Sequence, residues 1–126
     1  MSNIRKLAGD ITEDTIAISW NDEDVATLTR RMNDAGETEY VFIVDWVAWD
    51  RVNPDYGIPG LNMDARLDEY VRYKTPTFMT SVMPPMNRED VPDMLKYYNL
   101  PPTADMWDLM IAHKRLCHDN FRVHRI

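Results

Sequence analysis

His113, Cys117 and His118 are the side chains of this chain best suited to hold a soft or borderline metal ion, or to act as a nucleophile and its base. His113 and Cys117 stand four residues apart, a spacing that puts two side chains on one helix face and within reach of one zinc ion. His118 points about 100° away from Cys117 at about 3.6 residues per turn, and His124 has to fold back to supply a further ligand. A structural zinc site takes four ligands, and neither a Cys-x-x-Cys nor a His-x-x-x-His pair is present to complete one. The nucleophile reading meets a similar obstacle. Lys114 and Arg115 bring positive charge to Cys117, but a thiol near the end of a helix faces the negative pole of the macrodipole, which disfavours a thiolate. The favoured reading is therefore a histidine at the edge of a packed helix, a buried free cysteine and solvated histidines nearby. A small enzyme or metal-binding protein built on His113, Cys117 and His118 is the alternative.

Asp45, Asp50 and Asp55 form a second carboxylate series that could serve acid–base or metal chemistry. Their spacing of five is not that of a calcium loop, which alternates acids over consecutive odd positions before a glycine. The blander reading makes Asp45 a satisfied polar group within a strand and Asp50 and Asp55 turn initiators. An enzyme using the Asp45/Asp50 region stays beside it as an alternative. With four glycines in the chain and no phosphate-cradling motif, a nucleotide site is not expected.

These side chains need elements to carry them. Thr15 to Trp20 reads as a strand. Asn21 and Asp24 then have the spacing of a capping-box-like pair, with Trp20 and Val25 as a hydrophobic staple. A helix is expected through Val25, Leu28 and Met32, stopped by Gly36. Tyr40 to Trp49 is dense in aromatic and β-branched residues and reads as a strand apolar on both faces. Asn53 to Gly60 is a loop by its turn residues. A helix capped near Asn62 is expected to bury Met63, Leu67, Tyr70 and Val71. Phe78 to Met83 reads as a further strand. A helix begins at Asp90, with Pro92 in its first turn. After Pro101-Pro102, Thr103 caps a final helix running to about Asp119. The sum is an α+β domain spanning residues 1–126, with three or four helices on a short, mainly antiparallel sheet.

The chain has 126 residues, 44% of them hydrophobic and 28% charged, and a net charge of −7, as expected for one soluble globular domain. Its acidity argues against direct nucleic-acid binding. No apolar run reaches the roughly 18 residues of a membrane span, and the polar N-terminus is not a secretory signal. A single cysteine fits a reducing cytoplasm. No cofactor or bound metal is expected.

The charge is unevenly distributed. From His113 onward, Lys114, Arg115, Arg122 and Arg125 oppose the single acid Asp119, on a chain that is otherwise strongly acidic. On the final helix, Met106, Leu109, Met110 and His113 mark one face, and Trp107 and Ile111 mark another. A helix apolar on two sides needs neighbours on two sides. Trp107, Ile111, Lys114, Arg115, Arg122 and Arg125 are accordingly the expected contact residues, Trp and Arg being favoured in interface hot spots. The function expected is that of a small acidic protein-binding domain, an inhibitor, adaptor or small subunit, engaging another protein or copies of itself. A second alternative is an acidic mimic of nucleic acid.

Overall fold

The computed structural model describes residues 13–80, 86–113 and 121–126. In chain order the described elements are β1 (Glu13–Trp20), β2 (Glu23–Met32), β3 (Thr38–Val44), α1 (Trp46–Val52), β4 (Tyr70–Arg72), α2 (Thr77–Thr80), α3 (Val91–Tyr97), α4 (Met106–His113) and β5 (Phe121–Arg125). The strands form one antiparallel sheet in the order β4-β3-β2-β1-β5. The domain is α+β, with a sheet larger than the short one the sequence suggests.

The segment expected as a helix after Trp20 is instead the second arm of a hairpin. Asn21 and Asp22 form the two-residue connection, both at positive φ (49° and 69°). This is the requirement of a type I′ turn, which Asn and Asp tolerate better than most residues. The helical spacing has a specific source. The register shifts between Ile18, opposite Ala26, and Ser19, opposite Asp24, leaving Val25 as an extra residue on β2. Such a bulge lets Val25 and Ala26 both be buried, so Val25 and Leu28 fall three apart, as on a helix. Gly36, at φ +81°, serves the Asn33–Glu37 turn between β2 and β3 rather than a helix end.

The expected strand over 40–49 is also cut short. It ends at Val44 because the Asp45 side chain accepts a hydrogen bond from the Ala48 backbone N–H at 3.1 Å and caps α1. The cap stabilises a helix start by about 0.5–2 kcal/mol. Asn53, left-handed at φ 53°, closes the helix. No helix is found where one was expected at Asn62. Residues 53–69 run as turns that hold themselves in place: Trp46 Nε1 donates to the Leu67 carbonyl at 3.2 Å, and the Tyr70 hydroxyl donates to the Ala65 carbonyl at 2.5 Å. Tyr70 and Val71 then join the sheet as β4. Thr77–Thr80 is helical rather than extended, and the rest of the expected strand lies outside the described residues. α3 starts as expected, with Asp90 before it and Pro92 in its first turn.

The two faces of the sheet differ. On the first, Ile16, Ile18, Trp20, Ala26, Leu28, Phe42, Val44, Tyr70, Phe121 and Val123 belong to one hydrophobic cluster, together with Phe78 and Met79 of α2, Val91 and Leu95 of α3, and Trp107, Leu109, Met110 and Ile111 of α4. Trp46, Trp49 and Val52 of α1 pack against the same cluster. The methionines act as core filler, Met79 and Met110 wholly buried and Met86, Met94 and Met106 partly so. The second face carries Thr15, Ala17, Ser19, Thr27, Thr29, Val41, Ile43 and Val71, by the alternation of the paired strands. Its buried apolar residues, Ala17 and Val41, lie outside the cluster that the helices join.

Candidate functional site

The residues expected to make contact fall into three groups. Trp107 and Ile111 are interior, at 0% and 8% exposure. The neighbours that a two-sided apolar helix needs are supplied for α4 by α2 and β5 of this same chain. Trp107 Nε1 donates to Asp14 Oδ2 at 3.0 Å, its ring lies under the Arg30 guanidinium at 5.0 Å, and Tyr40 stands 6.2 Å away. Arg122 and Arg125 lie on β5, so the basic tail is the edge strand beside β1 rather than a free extension. Arg125 is ion-paired with Asp14 on the first face. Arg122 projects from the second face, in register with Ser19 and exposed. The remaining two, Lys114 and Arg115, lie outside the described residues, as do Cys117 and His118.

Trp107, Asp14, Arg30, Arg125, Asp105 and Asp108 form a linked polar network at one end of the sheet. Arg30 Nη1 donates to Asp105 Oδ2 at 2.7 Å. Asp105 and Asp108 cap α4 reciprocally: the Asp108 N–H donates to Asp105 Oδ1 at 3.0 Å, and the Asp105 N–H to Asp108 Oδ2 at 3.1 Å. The helix start is therefore two residues beyond Thr103. Burial pushes the Asp14 carboxyl upward, but its hydrogen bonds from Arg125 and Trp107 outweigh this and hold it below the ordinary 3.8. Asp105 is likewise held low: burial opposes ionisation there, and the Asp108 backbone N–H and Arg30 together overcome it. Asp108 is raised, by burial first and then by the adjacent Asp105 charge.

These shifts set a pH dependence. For Asp14 and Asp105, whose folded pKa values lie below the unfolded ones, the stabilisation is fully present above about 3.8 and is lost as pH falls through the folded values. Asp108 has the opposite sign and gives a small gain as pH falls towards 3.8. The midpoint of urea unfolding is expected to hold steady or rise slightly down to about pH 4, then fall. Asp14→Asn is expected to lower the midpoint at neutral pH and to flatten that acid limb; an acid limb as steep as in the parent would remove Asp14 from the account.

The carboxylates considered for catalysis are committed to separate tasks. Asp45 caps α1, and Asp50 takes a two-pronged ion pair from Arg66 at 2.9 and 2.6 Å, which holds its pKa low. Asp55 is exposed in the loop after α1. Among the described residues, no three His, Cys, Asp or Glu side chains gather closely enough to hold a metal ion. No helix among them is long and apolar enough to cross a membrane.

The surface missed by sequence reasoning is the second face of the sheet. From β5 to β3, one row across it reads His124, Ala17, Thr27, Ile43; the next reads Thr15, Thr29, Val41, Val71 from β1 to β4. Thr15 and Thr29 share a 2.8 Å hydroxyl contact. Arg122 and Asp24 border these rows at one end, Asp24 making a 3.5 Å contact with His124 of the first row. Glu13, Arg31 and Glu39 border them at the other, Arg31 and Glu39 being paired at 3.5 Å. Ile43 is 48% exposed. The signal for this face is present in the chain as the alternation of Thr15, Ala17 and Ser19 with Ile16, Ile18 and Trp20.

No protein-family model matches this chain, and comparison with curated proteins and with solved structures finds no match.

Proposed function

We propose that this chain is a small acidic protein-binding domain, working as an inhibitor, adaptor or small subunit, and that its partner packs on the second face of the sheet. One observation carries the reading. An antiparallel sheet that turns one face to water ordinarily shows polar side chains there, whereas this face presents Ile43, 48% exposed, and the half-buried Val71 beside threonines and between two charged borders, with Ala17 and Val41 already buried beneath them. An apolar centre with a polar rim is the anatomy of a protein contact surface. Small, β-branched side chains also keep it flat, which suits a partner that presents a flat apolar face of its own. Arg122 belongs to this rim. Trp107 and Ile111 support the surface from inside, by fixing α4 and β5 against the sheet.

Ile43→Arg tests the proposal. The side chain is half exposed, so folding stability is expected to stay within about 0.5 kcal/mol of the parent. A charge at this exposed apolar position of the contact is expected to weaken partner binding at least about tenfold, since unpaired buried charge is costly. The readout is native mass measurement of the protein recovered as bait. A parent that is recovered alone as one chain, or a complex that survives Ile43→Arg unchanged, contradicts the proposal.

A further inference from the structure

The chain is acidic, and most of its described cations are neutralised by carboxylates: Arg30 by Asp105, Arg31 by Glu39, Arg51 by Glu23, Arg66 by Asp50, Arg88 by Asp90 and Arg125 by Asp14. Arg72, Lys74, Lys96 and Arg122 meet no carboxylate among the described residues, and of these Arg72 and Lys74 line one cleft. This cleft, of about 480 Å³, lies beside β4 at the edge of the sheet, with Pro59, Leu61, Val71, Tyr73 and Pro76 among its walls. A volume of that size falls within the range of small-ligand sites.

Arg72 is held ready rather than free. Its guanidinium donates to the Val71 carbonyl at 2.9 Å and to the Gly60 carbonyl at 3.3 Å, so it spans from β4 to the facing loop. Carbonyl oxygens fix its direction without neutralising its charge, no described carboxylate pairs with it, and further N–H donors remain. The loop is held close at Gly60. It sits at φ +89°, and a Cβ there would lie 2.7 Å from Thr77 Cβ. β4 is also the last strand of the sheet among the described residues, paired with β3 and with no described strand on its other edge. An extended chain added along such an edge is a recurrent mode of peptide recognition.

We infer that the β4 cleft binds a short extended peptide segment of a partner protein, in which carboxylates meet Arg72 and Lys74 and the intervening apolar side chains lie against Pro59, Leu61 and Tyr73. This site is separate from the second sheet face and does not depend on it.

The test is titration of a fluorescent, acetylated peptide that alternates glutamate with leucine into the full chain. Saturable binding that weakens with added salt is expected. Replacing glutamate by glutamine in the peptide, or making the double variant Arg72→Gln, Lys74→Gln, is expected to reduce affinity about tenfold, the size of two exposed-to-intermediate charge pairs. Lys74 is exposed, so Lys74→Gln alone is expected to fold and to lose a smaller part of the affinity. Ile43→Arg is expected to leave peptide binding unchanged. The inference is overturned if the glutamate peptide does not bind, or if its glutamine counterpart binds equally well. It is equally overturned if inorganic phosphate displaces the peptide more strongly than chloride does at the same ionic strength, because the cleft would then be a small-anion site.

Discussion

Replacing Trp107 with alanine is expected to lower folding stability by about 3–5 kcal/mol, the range for removing a buried aromatic side chain. Trp107 is wholly buried and among the largest such side chains in the chain. It also does more than fill space. Its indole N–H satisfies Asp14, and its ring carries the Arg30 guanidinium, which in turn holds Asp105 at the start of α4. Alanine leaves a cavity and removes one of the hydrogen bonds on which the low pKa of Asp14 depends. Against a total stability of about 5–15 kcal/mol, the loss is a large fraction. Urea unfolding followed by circular dichroism measures it. Trp107→Phe is expected to recover part of the loss by refilling apolar volume without restoring the hydrogen bond. A shift below about 1 kcal/mol for Trp107→Ala would mean that the site collapses around the void, contrary to close packing.

Ending the chain at residue 120 is expected to abolish the fold. β5 supplies the outer neighbour of β1, and Phe121 sits in a cluster of rings: Trp20 at 4.8 Å, Tyr56 at 5.6 Å, Phe78 at 6.3 Å and Trp49 at 6.4 Å. These link the strand to α1, to α2 and to the loop after α1. Each aromatic pair adds about 0.5–1.5 kcal/mol beyond its buried area, and Val123 is buried as well. Without β5, Ile16 and Ile18 of β1 lose a cross-strand neighbour, and Asp14 loses Arg125. Phe121→Ala within the full chain isolates the ring cluster and is expected to cost about 3–5 kcal/mol. A cooperative thermal transition in the truncated chain, at the parent temperature, would show that β5 is an appendage.

How much of this was legible depended on how local the determining interactions are. The first strand, the entry of α3 at Asp90 with Pro92, and the presence of a final helix around Trp107 all follow from signals within a few residues. The hairpin at Asn21-Asp22 was hidden because Asn and Asp serve equally as helix caps and as turn residues at positive φ, and the Val25 bulge added a helix-like spacing. Asp45 carried the opposite ambiguity, since a polar residue in an apolar run also ends a strand by capping a helix. The basic tail could not be placed at all by local pattern. Its pairing with β1 joins residues about a hundred positions apart, as in Ser19 opposite Arg122, and nothing within either segment specifies the other. The same distance explains the contact residues. Trp107 reads as a hot spot by type and as core by position, and the distant elements that bury it, α2 and β5, with its partner Asp14 on β1, decide between them. The second sheet face is written in the small residues between Ile16, Ile18 and Trp20, and what sets it apart is that the described helices pack on the other side.

The most direct measurement is native mass of the bait-purified protein in three forms: parent, Ile43→Arg and Tyr97→Arg. Tyr97 lies on α3 and is 82% exposed, so it serves as a charge control away from the sheet. The account predicts a mass above the 14.8 kDa of one chain for the parent and for Tyr97→Arg, and a single-chain mass for Ile43→Arg. A single-chain mass for all three, or a complex retained by all three, would contradict the second sheet face as the surface through which this protein works.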